Sequence, residues 1–244
     1  MVLMRVLLTR PAEQAEELGA VLSAHGVEWL GEPLLRIVPV PWDHGVLAGR
    51  AALLVTSANA SRELLQVPGV RRDCPVFAVG PATAAPLQAA GFSNVQAAGG
   101  TAVSLIAHVR RHADPQAGRL LHLSGRDIAL DLGTGLAPAG FAVDRVVVYR
   151  AVAVERLSPG AMHEISQSRI DVAVFLSART AAVFCSLVIA SGIVDACARM
   201  TAVAISRKVA EALRPAGFRQ VVVATSPSGD AVLKAIVRLD TEDA

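Results

Sequence analysis

Three blocks of this sequence recur in its second half, in the same order. FAVGPATAAPLQAAGF (77–92) aligns without a gap with VAISRKVAEALRPAGF (203–218), at an offset of 126 residues. The segments around Ser57 and Ser177 align at an offset of 120, and those that begin at Arg5 and Arg119 align at about 114. Because the offsets drift only as far as small loop insertions would move them, the chain contains a duplicated unit.

Each block has the pattern of a strand followed by a helix. A continuous apolar run of four to six residues gives way to helical spacing, as at Leu18, Val21 and Leu22, and then stops at a glycine. Further strands at 146–148 and 221–223 bring each copy to four or five. Apolar volume comes mostly from Ala, Val and Leu, with only 4% aromatic residues, which favours parallel strands covered by helices. The sequence therefore predicts two similar α/β domains.

Two extended segments occupy matching places in the copies. They read PLLRIVPVP (33–41) and RVVVYRAVAV (145–154). Pro33, Pro39 and Pro41 exclude a helix from the first of them. We interpret both as interdomain linkers. The repeat by itself leaves open whether the domains are tandem halves of the chain or interleaved.

Composition and charge exclude several classes of protein. The 244 residues suffice for two ordinary domains. Arg5 comes too early for a secretory signal, and Asp171, Arg179 and Asp195 interrupt the apolar runs before the roughly 18 residues that a membrane span needs. The net charge of +2 is spread along the chain. We therefore expect a soluble protein without a membrane or nucleic-acid partner, whose mild positive bias suits a small anionic ligand.

Cysteine and histidine spacing predicts no metal site. Cys74, Cys185 and Cys197 are odd in number and lack CxxC spacing, which argues against disulfides and zinc and favours a reducing cytoplasm. His108 and His112 have ligand spacing in HVRRH, but no acidic residue lies between them. We interpret them as part of a solvated helix face.

The candidate binding residues lie where predicted strands end and helices begin. Helix N-termini present unpaired N–H groups and attract anions. At any single corner, a role as a helix N-cap is the commoner explanation for Ser, Thr or Asn. The chain has no GxGxxG, Walker or GxSxG motif, so these corners match no standard nucleotide or hydrolase site. Six corners on a duplicated scaffold favour a shared anion site, with these candidates: Thr9, Arg10, Ser57, Asn59, Gly80, Thr83, Ser124, Ser177, Arg179, Ser206 and Lys208.

Tyr149 is the only tyrosine and ends the second predicted linker. Its hydroxyl could donate a proton to a leaving group or cap a strand edge. Position alone favours the structural role.

The ordered set LLTRP, VTSANA, FAVGPATAAPLQAAGF, VVVYR, VFLSA and VAISRKVAEALRPAGF resembles the uroporphyrinogen-III synthase family over nearly the whole chain. The resemblance implies two flavodoxin-like domains, joined by a two-stranded linker, with the active site in the cleft between them. It also implies interleaving. Residues 1–36 and 153–244 would form one domain and residues 39–149 the other, with linkers at about 35–41 and 146–154.

The resemblance implies a reaction that needs no cofactor. This family takes hydroxymethylbilane, a linear tetrapyrrole with eight carboxylates, expels its terminal hydroxyl, inverts ring D and closes uroporphyrinogen III. The family's tyrosine suspected of assisting hydroxyl loss matches Tyr149, and the polar corners at Thr9, Arg10, Ser57, Thr83 and Ser177 also match. The resemblance also implies a monomer that makes transient contact with the deaminase that produces hydroxymethylbilane.

Two features depart from the family pattern. Ser206, Arg207 and Lys208 stand where many relatives have Gly-Pro-Thr-like residues, and Pro86 is expected to kink or delay the helix after GPAT. A second hypothesis is a non-catalytic, synthase-like sensor that binds an anionic ligand, because a fold does not fix a function.

Overall fold

The computed structural model describes residues 4–242. They divide into two compact units. Unit 1 comprises Met1–Arg36 and Ala153–Ala244, and unit 2 comprises Ile37–Val152.

Unit 1 is a five-stranded parallel sheet flanked by helices. The strand order is β11-β10-β9-β1-β2, and every neighbouring pair is parallel. Its strands are β1 (Arg5–Leu8), β2 (Glu28–Gly31), β9 (Val172–Phe175), β10 (Thr201–Ala204) and β11 (Gln220–Val223). Its helices are α1 (Ala12–Ala24), α6 (Pro159–Ser166), α7 (Ala178–Ala190), α8 (Arg207–Ala212) and α9 (Gly229–Glu242).

Unit 2 contains a six-stranded sheet of order β3-β8-β7-β4-β5-β6. The five strands from β8 to β6 are paired in parallel. The strands are β3 (Leu35–Pro39), β4 (Ala52–Val55), β5 (Val76–Ala78), β6 (Val95–Ala97), β7 (Leu120–Gly125) and β8 (Val143–Ala153). The helices are α2 (Ala58–Leu65), α3 (Pro81–Ala89), α4 (Ala102–His112) and α5 (Leu132–Leu136).

Alternating strand residues build a core on both faces of each sheet. In β1, Val6 and Leu8 pack with α1 and α9, whereas Leu7 packs with the cluster that includes α6, α7 and α8. In β4, Leu53 and Val55 pack with α2 and α3, whereas Leu54 packs with α4 and α5. Sheets buried on both faces require apolar runs rather than alternation, which explains the pattern in the sequence.

The two sheets share one topology. Strands β9, β10, β11, β1 and β2 occupy the same order as β4, β5, β6, β7 and β8. The repeated blocks fall on equivalent strands, since Ser57 follows β4 and Ser177 follows β9. The predicted fold class, two similar α/β domains with parallel sheets flanked by helices, is confirmed.

The two segments that run from one unit to the other are neighbours in the six-stranded sheet. Val40 N donates to Val148 O at 3.0 Å, and Val154 N donates to Leu34 O at 3.1 Å. Both segments are extended, as their prolines and β-branched residues predict.

Pro86 does not delay its helix. α3 begins at Pro81 and continues through Pro86 to Ala89, so the expectation of a delayed start was wrong. Pro81 fits the first helical turn, where a missing N–H costs nothing. Within residues 4–242, no helix is long and apolar enough to cross a membrane.

Candidate active site

The carboxyl ends of β4 and β7 meet at the point in unit 2 where the sheet's winding reverses. From β4 the chain moves outward through β5 and β6, and α4 then returns it to β7 on the other side of β4. Loops leave in opposite directions at such a point and open a crevice, where doubly wound sheets bind ligands. Thr56 and Ser57 follow β4 there, and Ser124 and Gly125 end β7.

A β-bulge places Tyr149 at this crevice. Ser124 pairs with Val147, but the next residue, Gly125, pairs with Tyr149, so Val148 is the extra residue of β8. Val148 and Tyr149 consequently both pack on the core cluster beneath α2 and α3. Bulges commonly redirect a side chain next to a functional site. Here the bulge turns the tyrosine toward the start of α2.

The Tyr149 ring lies across Gly125 and reaches Ser57. Its hydroxyl is 2.9 Å from Ser57 Oγ. A Cβ at position 125 would lie 2.7 Å from Tyr149 Cζ and 2.8 Å from its hydroxyl oxygen. Only glycine lets the ring approach the strand end so closely.

Ser57 is also the N-cap of α2. Its Oγ accepts a hydrogen bond from Ala60 N at 3.1 Å. The first two helical N–H groups, at 58 and 59, have no partner within a helix. Asn59 Oδ1 accepts from Arg62 Nη1 at 3.0 Å. The tyrosine hydroxyl is therefore held beside a helix N-terminus, where negative charge is stabilised.

A cavity of about 380 Å³ opens beside Thr56 and Gly125. Its lining includes Thr56, Thr101, His122, Gly125 and Tyr149, together with the loop 127–130. All of these residues belong to unit 2. The volume suits one ring of a larger ligand with its substituents.

His122 is the buried titratable group of this cavity. It is 1% exposed, and its Nε2 lies 3.1 Å from Thr56 Oγ1. Burial, with a smaller effect from Arg145, lowers the pKa of His122 to about 4. The imidazole is therefore neutral at physiological pH.

Arg145 fixes the end of β7. Its Nε donates to Ser124 Oγ at 2.8 Å, and its Nη2 donates to the carbonyls of Gly125 and Arg126 at 2.8 and 2.7 Å. The buried Ser124 hydroxyl thus holds the arginine, and this role positions the strand end that carries Gly125.

Gly80 and Thr83 lie at the start of α3. A Cβ on Gly80 would be 3.1 Å from Gly100 Cα, so the residue permits a close approach to the loop before α4. Thr83 is buried, and its carbonyl accepts from Ser61 Oγ at 2.8 Å. These contacts tie α2 and α3 together at the carboxyl edge of the sheet.

In unit 1, Thr9, Arg10 and Ser177 lie at the equivalent reversal point, where β1 and β9 end. Thr9 is 3% exposed and donates from Oγ1 to Val174 O at 2.7 Å, which joins the two strands. Ser177 caps α7 by accepting from Thr180 N at 3.0 Å. Arg10 donates to Gln14 Oε1 at 3.1 Å, and partial burial lowers its pKa.

The remaining candidates lie further along this edge. Arg179 is exposed on the first turn of α7. Ser206 occupies the N-cap of the six-residue helix α8 without a side-chain cap bond, and Lys208 is exposed on that helix.

The predicted helix start at Ser124 was wrong, and Thr9 does not cap the helix that follows it. After β7, the helix begins at Leu132 with Asp131 as its N-cap, so Ser124 ends a strand instead of opening a helix. The N-cap of α1 is Pro11, and Thr9 bonds to β9 instead. In both cases the polar residue at the strand end is satisfied by a neighbouring strand, which a one-dimensional pattern does not reveal.

Sequence reasoning missed His122 and Arg145. His122 could have been noticed as a titratable residue inside the apolar strand LLHLSG. Histidine is less often buried than leucine, so a histidine in such a strand suggests a specific role. For Arg145 there was no signal, because its role depends on the pairing of β7 with β8.

A larger cavity, about 680 Å³, lies at the opposite edge of unit 1. Its lining includes Arg5, Glu28, Trp29 and Glu164, and Arg5 forms ion pairs with both glutamates. Because Arg5 and Glu28 begin β1 and β2, the cavity faces away from the strand ends that bind ligands in such sheets. His108 and His112 stack at 4.1 Å, and His108 bonds to Gln96, so the described residues hold no metal-binding cluster there.

Comparison with known proteins gives a consistent family. Residues 16–234 match the family model of uroporphyrinogen-III synthase HemD. A uroporphyrinogen-III synthetase structure from Helicobacter pylori 26695 is 19% identical, with a TM-score of 0.63, covering 97% of this chain and 100% of that one. A mutant uroporphyrinogen III synthase from Thermus thermophilus is 21% identical, with a TM-score of 0.50, covering 99% and 100%.

A search of curated protein sequences finds no match. The two structural likenesses establish the two-sheet fold, and the family model, which spans most of the chain, establishes descent. The chain belongs to the uroporphyrinogen-III synthase family of cyclising lyases.

Proposed function

We propose that this protein cyclises hydroxymethylbilane to uroporphyrinogen III and that Tyr149 assists the departure of the terminal hydroxyl. The observation that carries the residue assignment is the Tyr149 hydroxyl, 2.9 Å from Ser57 Oγ at the reversal point of unit 2. The family resemblance, which matches Tyr149 in VVVYR to the family's tyrosine, also supports this proposal.

The proposed chemistry needs one proton at the leaving group. The C–O bond of the hydroxymethyl group breaks, the hydroxyl takes up a proton, and water leaves, so that the pyrrole retains the positive charge as an azafulvene cation. Tyr149 supplies a donor O–H, and Ser57 can accept or donate within the same pair of hydroxyls. Because the substrate closes spontaneously to the type I isomer, the enzyme's main task is to control conformation.

We propose that the substrate's carboxylates bind at helix N-termini. Ser57 and Ser177 cap α2 and α7 at equivalent strand ends, and a helix N-terminus stabilises negative charge beside its cap. In this proposal the backbone makes the main contacts, and Thr9, Ser124 and Thr83 hold the strands and helices in place. Arg10, Asn59, Gly80, Arg179, Ser206 and Lys208 would provide surrounding polar groups and access.

We propose a monomer in a reducing cytoplasm, with transient delivery of substrate by the deaminase. All three cysteines are free, and burial raises the pKa of the Cys197 thiol to about 12. Burial also raises the pKa of the Cys185 thiol and of the half-buried Cys74 thiol. Thiols with raised pKa values react poorly, which is compatible with that compartment. No finding favours the alternative of a non-catalytic sensor.

The test is the isomer composition of the product. The protein is supplied with porphobilinogen and a hydroxymethylbilane-producing deaminase, and the products are oxidised and separated by chromatography. We expect type III porphyrin to predominate, while a reaction without this protein gives type I. Type I product alone in the presence of the folded protein would refute the proposed function.

A further inference from the structure

The pair of Thr56 and the buried His122 is not used in the chemistry above. Thr56 follows β4 and His122 lies within β7, so the pair bridges the two strands at the reversal point. Both residues line the 380 Å³ cavity of unit 2. Both residues are close to the Tyr149–Ser57 contact. Thr56 directly precedes Ser57, and His122 lies in β7, which pairs with β8, the strand that carries Tyr149.

The protonation of His122 fixes the direction of this hydrogen bond. A neutral imidazole carries one proton, on either Nε2 or Nδ1. Nδ1 is buried and has no hydrogen-bond partner among the described residues, whereas Nε2 lies 3.1 Å from Thr56 Oγ1. A buried N–H without an acceptor is rarer and more costly than an unpaired acceptor. The proton therefore belongs on Nε2, which donates to the Thr56 oxygen.

This direction leaves the Thr56 proton free for a ligand. A hydroxyl oxygen that accepts a hydrogen bond becomes a stronger donor through its own O–H, because linked hydrogen bonds polarise one another. Thr56 is half-buried on the cavity wall. Its O–H is then aimed at whatever occupies the cavity, and the nearby N-terminus of α4, capped by Thr101, favours negative charge there.

We propose that Thr56 is a substrate-binding hydroxyl that donates to one carboxylate of the tetrapyrrole, and that His122 is its positioning residue. This inference rests on the proposed function. It assigns the unit 2 cavity to one pyrrole ring with its acidic substituents. His122 contacts no substrate in this assignment and acts only through Thr56.

The experiment compares steady-state kinetics of variants at the Thr56–His122 pair. We expect Thr56→Val to raise KM about tenfold with kcat little changed, as for loss of a hydrogen bond to a charged group. Thr56→Ser keeps the hydroxyl and should stay within about threefold of wild type. Thr225→Val, which removes an exposed hydroxyl after β11 in unit 1, outside the cavity lining, is the matched control.

A double-mutant cycle tests the positioning role. His122→Leu alone should raise KM several-fold, but it should add nothing in the Thr56→Val background, because it acts through that hydroxyl. Additive effects, or an unchanged KM in Thr56→Val while Thr225→Val is also unchanged, would overturn the inference. Thermal unfolding of each variant shows whether a loss merely reflects misfolding, and the Thr56 variants carry the test if His122→Leu does not fold.

A second readout does not depend on turnover. The imidazole ¹⁵N shifts of His122 should report the Nε2–H tautomer in wild type, and uroporphyrin III, an octacarboxylate probe, should bind Thr56→Val more weakly than Thr225→Val. The Nδ1–H tautomer, or equal affinities, would contradict the inference. If wild type makes only type I product yet shows the expected tautomer and affinities, the proposed function fails and the carboxylate site stands.

Discussion

In the proposed chemistry, the hydroxyls of Tyr149 and Ser57 act together but have different roles. Ser57 has a structural task as the cap of α2, and its contact with Tyr149 is additional. Tyr149 makes its hydroxyl contact at the bulge, where the ring lies over a glycine. The two hydroxyls should therefore respond differently to removal.

We expect Tyr149→Phe to lower kcat by about a hundredfold, a typical loss for one acid–base group. The fold should survive, with a stability change of about 1 kcal/mol, because only one partly exposed hydrogen bond is lost. Ser57→Ala should cost about 1 kcal/mol in stability through its cap, with a smaller loss of kcat. Steady-state rates and chemical denaturation measure both. A wild-type kcat in Tyr149→Phe would remove the tyrosine from the mechanism and leave the family assignment intact.

His122 should make stability depend on pH. The unfolded imidazole takes up a proton below about pH 6.5, whereas burial lowers the pKa in the folded protein to about 4. The unfolded state therefore binds more protons in this window, and stability falls as the pH drops from 6.5 to 4, by about 3 kcal/mol in total. Arg145 adds to this shift and Asp131 opposes it.

Urea denaturation of wild type and His122→Leu across this pH range isolates the effect. The difference in unfolding free energy between the two should change by that amount, while the exposed control His163→Leu should follow wild type. Parallel pH profiles for wild type and His122→Leu would show that the imidazole is not held neutral by the fold.

The cap role of Ser57 could be predicted from the sequence, because Ser57 follows an apolar strand and precedes a helix. The role of Tyr149 stays a prediction, which rests on the family pattern that this lone tyrosine matches. His122 could not be assigned a role, because its significance comes from a cross-strand contact with Thr56, 66 positions away. The spacing of residues in the sequence does not indicate that contact.

Among the elements, the strand-to-helix corners followed from the change in hydrophobic period, and most of them exist. The bulge in β8 exists as well, but the hydrophobic pattern did not predict it. It inserts one residue, Val148, into a run of apolar residues that reads the same with or without it. The helix predicted directly after Ser124 was wrong for a similar reason. The residues before α5 have a helix-like composition, but they form a loop along the cavity.

We expect Gly125→Ala to disturb this element specifically. The new Cβ would lie 2.7 Å from the Tyr149 ring, so the ring must leave its contact with Ser57. kcat should approach that of Tyr149→Phe, with a stability loss of about 1–3 kcal/mol from the forced repacking. Gly160→Ala, in the exposed first turn of α6, where a Cβ would make only an ordinary contact 4.0 Å from Ser158 Oγ, is the matched control and should leave both quantities nearly unchanged. Full activity in Gly125→Ala would show that the ring position does not matter.

At the scale of the molecule, the repeat predicted two sheets of the same kind, and their strand orders agree strand by strand. What the repeat could not provide is the assignment of the first strand and helix. The alignment of Arg5 with Arg119 is the same whether the copies are tandem or interleaved. Only the pairing of β1 with β9, across 160 or more positions of chain, places β1 in unit 1.

This organisation predicts that unit 2 folds by itself. Residues 37–152 are continuous in the chain and contain complete clusters on both faces of their sheet. We expect a fragment 37–152 to unfold cooperatively in urea. A fragment 37–142, which lacks β8 and the hydrogen bonds it makes to β7, is the control and should lose that transition. A fragment 37–152 without a cooperative transition would contradict the division.

We propose that the carboxyl ends of the strands, and not the larger cavity at the opposite edge of unit 1, form the active site. The most direct measurement is a ¹⁵N amide chemical-shift map of the protein during titration with uroporphyrin III. We predict shifts at residues 56–59, 125–130 and 149 of unit 2 and at residues 9–10 and 177–178 of unit 1. Shifts confined to Arg5, Glu28, Trp29 and Glu164 would contradict the account.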